Sequence, residues 1–117
     1  MTTGERGELR AAEYLRRKGF RIVARNYRTR RGEIDIICED DRYLVFAEVK
    51  TRSSTAFGLP RESVSYHKQQ KLMLTAQQWL QEHPTALQPR FDVVEILVSP
   101  DRTTCRIHHI PDAFEVI

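Results

Sequence analysis

Residues 28 to 52 read RTRRGEIDIICEDDRYLVFAEVKTR. Two very apolar runs lie inside this stretch, and each carries charge where a sheet core would favour none. Asp35 sits between Ile34 and Ile36, while Glu48 and Lys50 flank Val49 just after Val45, Phe46 and Ala47. The runs are rich in β-branched and aromatic residues and are joined by Asp40 and Asp41, the signature of a hairpin. Glu33 to Glu39 is therefore expected as one strand and Tyr43 to Arg52 as the next.

Side chains alternate across a strand. One face of this hairpin presents Ile34, Ile36, Cys38, Tyr43, Val45, Ala47 and Val49, all uncharged, and is expected to be core. The other face carries Glu33, Asp35, Ile37 and Glu39, then Leu44, Phe46, Glu48, Lys50 and Arg52, with its polar groups gathered mostly at one end. A turn centred between Asp40 and Asp41 sets Asp35 opposite Phe46 and makes Glu48 its diagonal neighbour, about 7–8 Å away between backbones. Two carboxylates reaching inward from there can share one hard cation at about 2.1 Å from each oxygen. The parity of this argument depends on the length of the turn. The basic turn with Arg28, Arg30 and Arg31, and the segment beginning at Arg52, fall at the same end of the hairpin as Asp35, Glu48 and Lys50. Acids to hold a metal and arginines to hold a phosphate thus converge.

Working outward, Thr2 and Glu5 have capping-box spacing and Gly19 is a helix stop, so residues 4 to 18 are expected as a helix. Phe20 to Tyr27 reads as a strand, Ser53 to Pro60 as a loop and Tyr66 to His83 as a second helix with Leu72, Ala76, Trp79 and Leu80 on one face. Arg90 to Ser99 and Cys105 to Ile110 read as two more strands. The order α-β-β-β-α-β-β implies one domain over residues 1–117, with helices packed on a small mixed sheet. Glu8 is followed by Ala11, Ala12 and Leu15 on one helical stripe, which turns it inward, and Lys68 shares the stripe of Leu72, Ala76 and Trp79. Either residue can join the charged end of the hairpin or snorkel at a helix edge.

Composition excludes several classes. No apolar run approaches the length of a membrane span, and MTTGERGELR has no signal-peptide pattern, so a cytoplasmic protein without membrane contact is expected. Cys38 and Cys105 form no CxxC pair, and ligands for a structural zinc are too few. Net charge is +3, and the nineteen basic residues include only four lysines, so fifteen are arginines. Nucleic acid is a fitting partner for such a chain, although a GC-rich genome raises arginine equally well. There is no glycine-rich phosphate loop and no nucleophile elbow. His108 and His109 are adjacent on an expected strand and so point to opposite faces.

Mg²⁺ held by a few carboxylates suits phosphodiester hydrolysis, with a lysine to orient or deprotonate water and stabilise developing charge. Chance alone gives roughly 0.5 acid-x-lysine triplets in a chain of this composition, so E-x-K by itself is weak. The signal is the combination of an acid in one strand, E-x-K in its partner, a shared face and an arginine turn at that end. The plain alternative is a salt-bridged hairpin edge in which Lys50 and Arg52 pair with Asp35 and Glu48.

At these residues the sequence resembles the PD-(D/E)XK nuclease superfamily. More closely it resembles the YraN-like uncharacterised bacterial proteins related to Holliday-junction resolvases, through the stretches GERGELRAAEYLRRKGF, NYRTRRGEIDII, LVFAEVKTR, FGLP and RFDVVEI. The resemblance implies an α/β restriction-endonuclease-like (tRNA endonuclease-like) fold with an αβββαβ core. It also implies Asp35 and Glu48 as metal ligands with the Val49 carbonyl, Lys50 as the catalytic lysine, and Glu8 as the helix acid of resolvase-like members. The first motif reads G-E-I-D here, without the superfamily's proline. The expected cofactor is Mg²⁺ or Mn²⁺ and the expected partner nucleic acid, DNA above RNA and branched DNA in particular. Resolvase action needs two sites and hence a homodimer. The expected nucleic-acid contacts are Arg28, Arg30, Arg31, Arg52 and Lys68. Three functions compete on these grounds: a nuclease, an idle nuclease-fold binding module serving a repair or recombination partner, and a protein-interaction domain. Asp92 has no role in this scheme beyond a structural one, such as pairing with Arg90.

Overall fold

The structure is a computed structural model that describes residues 2–53 and 64–114. FGLP and most of the expected loop up to Pro60 lie outside the described residues. The chain runs α1 (Thr3–Arg17), β1 (Arg21–Arg28), β2 (Glu33–Glu39), β3 (Tyr43–Ser53), α2 (Tyr66–Glu82), β4 (Gln88–Val98) and β5 (Cys105–Phe114). The strands form one sheet in sequence order, antiparallel except where β3 runs parallel to β4. A parallel neighbour needs a crossover, and α2 lies in it. This is a mixed α/β architecture, as expected. Among the described residues no helix is long and apolar enough to cross a membrane.

The caps work as the sequence predicts. Glu5 N donates to Thr2 Oγ1 and Thr2 N to Glu5 Oε1, each at 3.1 Å, closing the capping box of α1. Gly19 takes the left-handed φ of +99° that ends the helix. Both faces of the sheet are buried. α1 covers one, with Ala11, Ala12 and Leu15 against Ile36, Cys38, Val45, Ala47, Val94 and Ile96. α2 covers the other, with Leu72, Ala76 and Trp79 against Ile37, Leu44, Phe46, Phe91 and Val93.

Three expectations need correction. First, the hairpin register is two residues from the expected one: Ile37 pairs with Phe46 and Cys38 with Val45. Asp40 Oδ1 accepts from Arg42 N at 2.8 Å and Tyr43 N at 2.7 Å, so Asp41 and Arg42 form the turn rather than Asp40 and Asp41. The shift is even and so by itself moves no residue to the other face. Continued one step past Ile36 and Ala47, the pairing sets Asp35 level with Glu48 instead of Phe46. Second, Ile34 belongs to the α2-side core, not with Ile36. Its partner Tyr27 sits beside Asn26, whose φ of +54° breaks the alternation of β1, and Tyr27 stacks edge-on against Trp79. Third, β5 extends to Phe114 through Pro111, because an edge strand tolerates a residue without an N–H.

Asp92, left with a structural role by the sequence, is fully buried on the α1 side. It accepts from Arg90 Nε at 2.9 Å and Arg90 Nη2 at 3.0 Å, pairs with His109 Nε2 at 2.7 Å and accepts from Asp112 N at 3.0 Å. His109 Nδ1 in turn meets Tyr14 OH at 3.1 Å. Burial opposes the charge of Asp92, but His109, Arg90 and the Asp112 amide outweigh it and hold its pKa below the usual value. The network ties α1 and the C-terminal strand to β4. Asp92→Ala strands a buried guanidinium, and urea denaturation is expected to show a loss of about 3 kcal/mol. A loss under about 1 kcal/mol would mean that the network carries little of the fold.

Candidate metal and phosphodiester site

Glu48 lies in β3, the central strand, and is only 4% exposed. The β2–β3 ladder ends at Ile36 and Ala47. Beyond it the Asp35 side chain replaces the neighbouring backbone, accepting from Val49 N at 2.8 Å. The two carboxylates therefore face the same gap. Lys68, from the first turn of α2, puts its ammonium on Glu48 Oε1, and Lys50 Nζ stands 3.6 Å from the same oxygen. Gly32, Glu33, Asp35, Glu48, Lys68 and Lys71 line a cleft of about 160 Å³ here. Gly32 suits the spot because a Cβ would come within 3.1 Å of Thr75 Oγ1 and 3.6 Å of the Lys71 stem on α2.

The electrostatics follow from burial and like charge. Burial first, then the nearby Glu48, raise the Asp35 pKa to about 7, against the pull of the Val49 amide. Burial and the neighbouring Lys68 push Lys50 down, with Glu48 opposing. Burial acts downward on Lys68 too, but its contact with Glu48 prevails and its pKa is raised. Two ammonium groups thus compete for one carboxylate oxygen, and Lys68 holds it more closely.

Glu8 projects inward, as its stripe predicts. Burial raises its pKa, and its field reaches Asp35. Its Oε1 is buried without a hydrogen bond, and the nearest cation, Arg25 Nη2, is 3.8 Å away. Glu8 lines a separate cleft of about 550 Å³ with Glu5, Leu9, Arg25, Asn26, Arg28 and Glu33. Glu33 borders both clefts.

The arginines are more dispersed than the acids. Arg28 pairs with Glu33 at 3.2 Å while most of its side chain stays exposed, and Arg30 and Arg31 are exposed in the turn. Arg52 is turned to Glu95, with Nη1 3.0 Å from Oε2, an ionic contact without hydrogen-bond alignment. Glu95 was not foreseen. It is 2% exposed and lies beside Lys50 in the parallel register, on the α2 face with Phe91 and Val93. The signal was an acid inside the apolar run FDVVEILV, the same signal that marked Asp35 and Glu48. Cys38 is inert: burial, then Asp92, push its thiol up to about 12.

Among the described residues no group of three or more His, Cys, Asp and Glu side chains is gathered for a metal. The oxygen donors on hand are the two carboxylates, the Val49 N–H being given to Asp35. Hard oxygen donors of this kind fit Mg²⁺ or Mn²⁺, which keep several waters. Asp35 and Glu48 facing one gap, with the Asp35 pKa raised, mark an excess of buried negative charge that a divalent cation would relieve.

The family described as "Uncharacterised protein family UPF0102" matches residues 7–96. A UPF0102 protein of Caldanaerobacter subterraneus is 44% identical over 97% of this chain and 94% of its own length. One of Symbiobacterium thermophilum is 48% identical over 95% and 94%, and one of Geotalea daltonii 47% identical over 98% and 91%. The chain belongs to this family.

An acid whose folded pKa is raised costs stability as pH climbs from the unfolded value near 4 to the folded value near 7. Asp35→Asn removes that cost and can keep the Val49 contact through its amide oxygen. In chelator the variant is expected to be more stable than wild type by about 1 kcal/mol or more at pH 8, with the gain vanishing near pH 4. Thermal unfolding across pH checks this. A variant less stable than wild type at pH 8 would refute the assigned charge strain.

Proposed function

We propose that this UPF0102 member is a metal-dependent nuclease that hydrolyses phosphodiester bonds in DNA, on a restriction-endonuclease-like fold. The single observation that carries the reading is the meeting of Asp35 and Glu48 across the open end of β2 and β3, with Lys50 and Lys68 at the same oxygen. The observed order α-β-β-β-α-β also supports it.

Asp35, Glu48 and the Val49 carbonyl would hold Mg²⁺ or Mn²⁺. Such an ion supplies an activated water and neutralises phosphate charge. The protein's own groups do the rest. Lys50, its pKa lowered, stands where it can exchange a proton with the attacking water or steady the developing charge. Lys68, on the same Glu48 oxygen as Lys50, would offer a second ammonium to the phosphate. Glu8 adds negative charge at the far side of Asp35. Arg28, Arg30 and Arg31 lie in the chain just before Gly32 and Glu33 of the cleft and suit the flanking phosphates. Arg52, tied to Glu95, braces the strand that carries Lys50. Paired cuts in branched DNA would require a homodimer, and the setting would be the cytoplasm.

One observation favours a second reading. The Lys68 ammonium already neutralises Glu48 without any metal, as an idle nuclease-fold binding module serving a repair or recombination partner would be built. Cleavage of branched, single-stranded and duplex DNA, and of RNA, with Mg²⁺ or Mn²⁺ separates the two. Wild type is expected to cut DNA. Asp35→Ala and Glu48→Ala are expected to lose both activity and calorimetric Mn²⁺ binding, and Lys50→Ala to lose roughly a hundredfold in rate while keeping the metal. Activity that survives both acid variants places the chemistry elsewhere. Binding without cutting in any metal selects the idle module.

A further inference from the structure

The α1 face of the sheet holds a second feature at the same end of β3. Thr51 follows Lys50 and points to the opposite face. There, two adjoining hollows of about 90 and 290 Å³ open between the start of α1, the ends of β3 and β4, and the β4–β5 turn. Arg6, Arg10 and Arg102 line them with the hydroxyls of Thr3, Thr51 and Thr103. Arg52 borders the second hollow. Among the described residues lining either hollow there is no acid.

That absence distinguishes this groove from the α1–β1 cleft and from the Asp35 and Glu48 cleft. In the α1–β1 cleft the arginines meet Glu5, Glu8 and Glu33. Here the nearby acids among the described residues, Glu5, Glu13 and Asp101, are engaged within their own elements, Glu13 accepting from Arg17 Nη2 at 2.5 Å. Glu5 is held by the capping box. Asp101 accepts from Ser99 Oγ at 2.7 Å, Thr103 Oγ1 at 2.8 Å and Thr103 N at 3.1 Å inside its own turn. Arg6 and Arg10 stand one helical turn apart, and Arg10 Nη1 points to Cys105 Sγ at 2.6 Å across the groove. Gly7 lets α1 come down on Thr51, since a Cβ there would collide with the Thr51 hydroxyl. The groove is therefore narrow and cationic, with the Thr3 and Thr51 hydroxyls in its lining while the Thr103 hydroxyl proton is given to Asp101.

We infer that this groove binds the phosphodiester backbone of a nucleic-acid strand, on the face of the sheet opposite the Asp35 and Glu48 cleft. Thr51 is three residues beyond Glu48, about 10 Å along β3. A strand crossing the end of β3 can thus be gripped on one face and presented to the acids on the other. Forked guanidinium groups and hydroxyls are the donors that hold phosphate oxygens without reading sequence. The inference rests on the nuclease reading for its ligand, but the groove can be tested apart from cleavage.

The test measures binding of a fluorescein-labelled oligothymidylate in EDTA, over a range of salt, by wild type and by the double variant Arg6→Ala with Arg102→Ala. Both side chains are exposed and outside the cores, and an unchanged melting temperature checks that the fold is intact. Affinity is expected to fall roughly tenfold, and the slope of log affinity against log salt by about 1. Equal affinity and slope in the variant would overturn the groove and leave the nuclease reading standing. Binding that depends on the groove, without cutting in any metal, would uphold the groove and sink the nuclease reading. Amide shifts around Thr51 and Arg102 on adding inorganic phosphate, with no affinity for the oligonucleotide, would make the source a free anion and overturn the nucleic-acid assignment.

Discussion

A carboxylate in the central strand of a five-stranded sheet is the constraint around which this molecule is arranged. Glu48 is almost wholly removed from water, and an unpaired charge there would cost several kcal/mol. Lys68 meets it from α2, and the position of that lysine fixes more than a salt bridge. Ser65 caps the helix by accepting from Lys68 N at 3.2 Å, so the first turn of α2 is pinned beside Glu48. Leu72, Ala76 and Trp79 continue the same stripe into the core. The helix cannot slide to improve its packing without uncovering the acid. Charge pairing and core packing therefore specify one docking of α2.

The meeting of Asp35 with Glu48 depends on a smaller device. Asp40 folds its carboxylate over the backbone of Arg42 and Tyr43, which fixes the two-residue turn and so the register of every pair below it. At the far end the strands part, and Asp35 takes the Val49 N–H that a continued ladder would have used. Opposite this point, the left-handed Asn26 turns Tyr27 and Ile34 towards Trp79. The departure from regular sheet is thus local to the acids. Strain of this kind gathers where side chains must be aimed.

The sequence showed the elements clearly because each carried an independent mark: the Thr2 and Glu5 box, the Gly19 stop, and the period-2 runs around Asp35 and Glu48. It also showed which residues share a face from Ile36 onward, since a shift of two residues in the hairpin leaves parity intact, but not that Ile34 leaves that face, because nothing in β1 announced the left-handed Asn26. It could not show the turn, because Asp40 followed by Asp41 fits two registers and only the hydrogen bonds of the Asp40 carboxylate choose between them. The continuation of β5 past Pro111 was hidden for a similar reason. A proline reads as a break until the strand is known to lie on an edge. Arg52 and Glu95 were illegible as a pair, because they meet only when β4 is laid parallel to β3. Asp92 could be linked to Arg90 by sequence proximity, whereas His109, seventeen residues away, required the β4–β5 pairing.

The sorting of charge across the end of β3 bears on how such a site can work. The carboxylates of Asp35 and Glu48, with Glu8 and Glu33 close by, repel a phosphodiester and offset the attraction of Lys50, Lys68 and Lys71 at the α2-side cleft. A divalent cation offsets part of that repulsion, but only at one point. The affinity for a polyanion must come from cations that are not already committed to acids, and near the cleft most are committed: Lys50 and Lys68 to Glu48, Arg28 to Glu33, Arg25 to Glu8. Alternation along β3 eases the conflict by sending Glu48 and Lys50 to one face and Thr51 to the other, where Arg6, Arg10 and Arg102 line hollows with no acid among their described lining residues. One strand end thereby separates a surface suited to holding phosphate from a surface suited to acting on it. Carboxylates that would hold a metal weaken the field that draws the strand in, and on the opposite face no acid among the described lining residues does so.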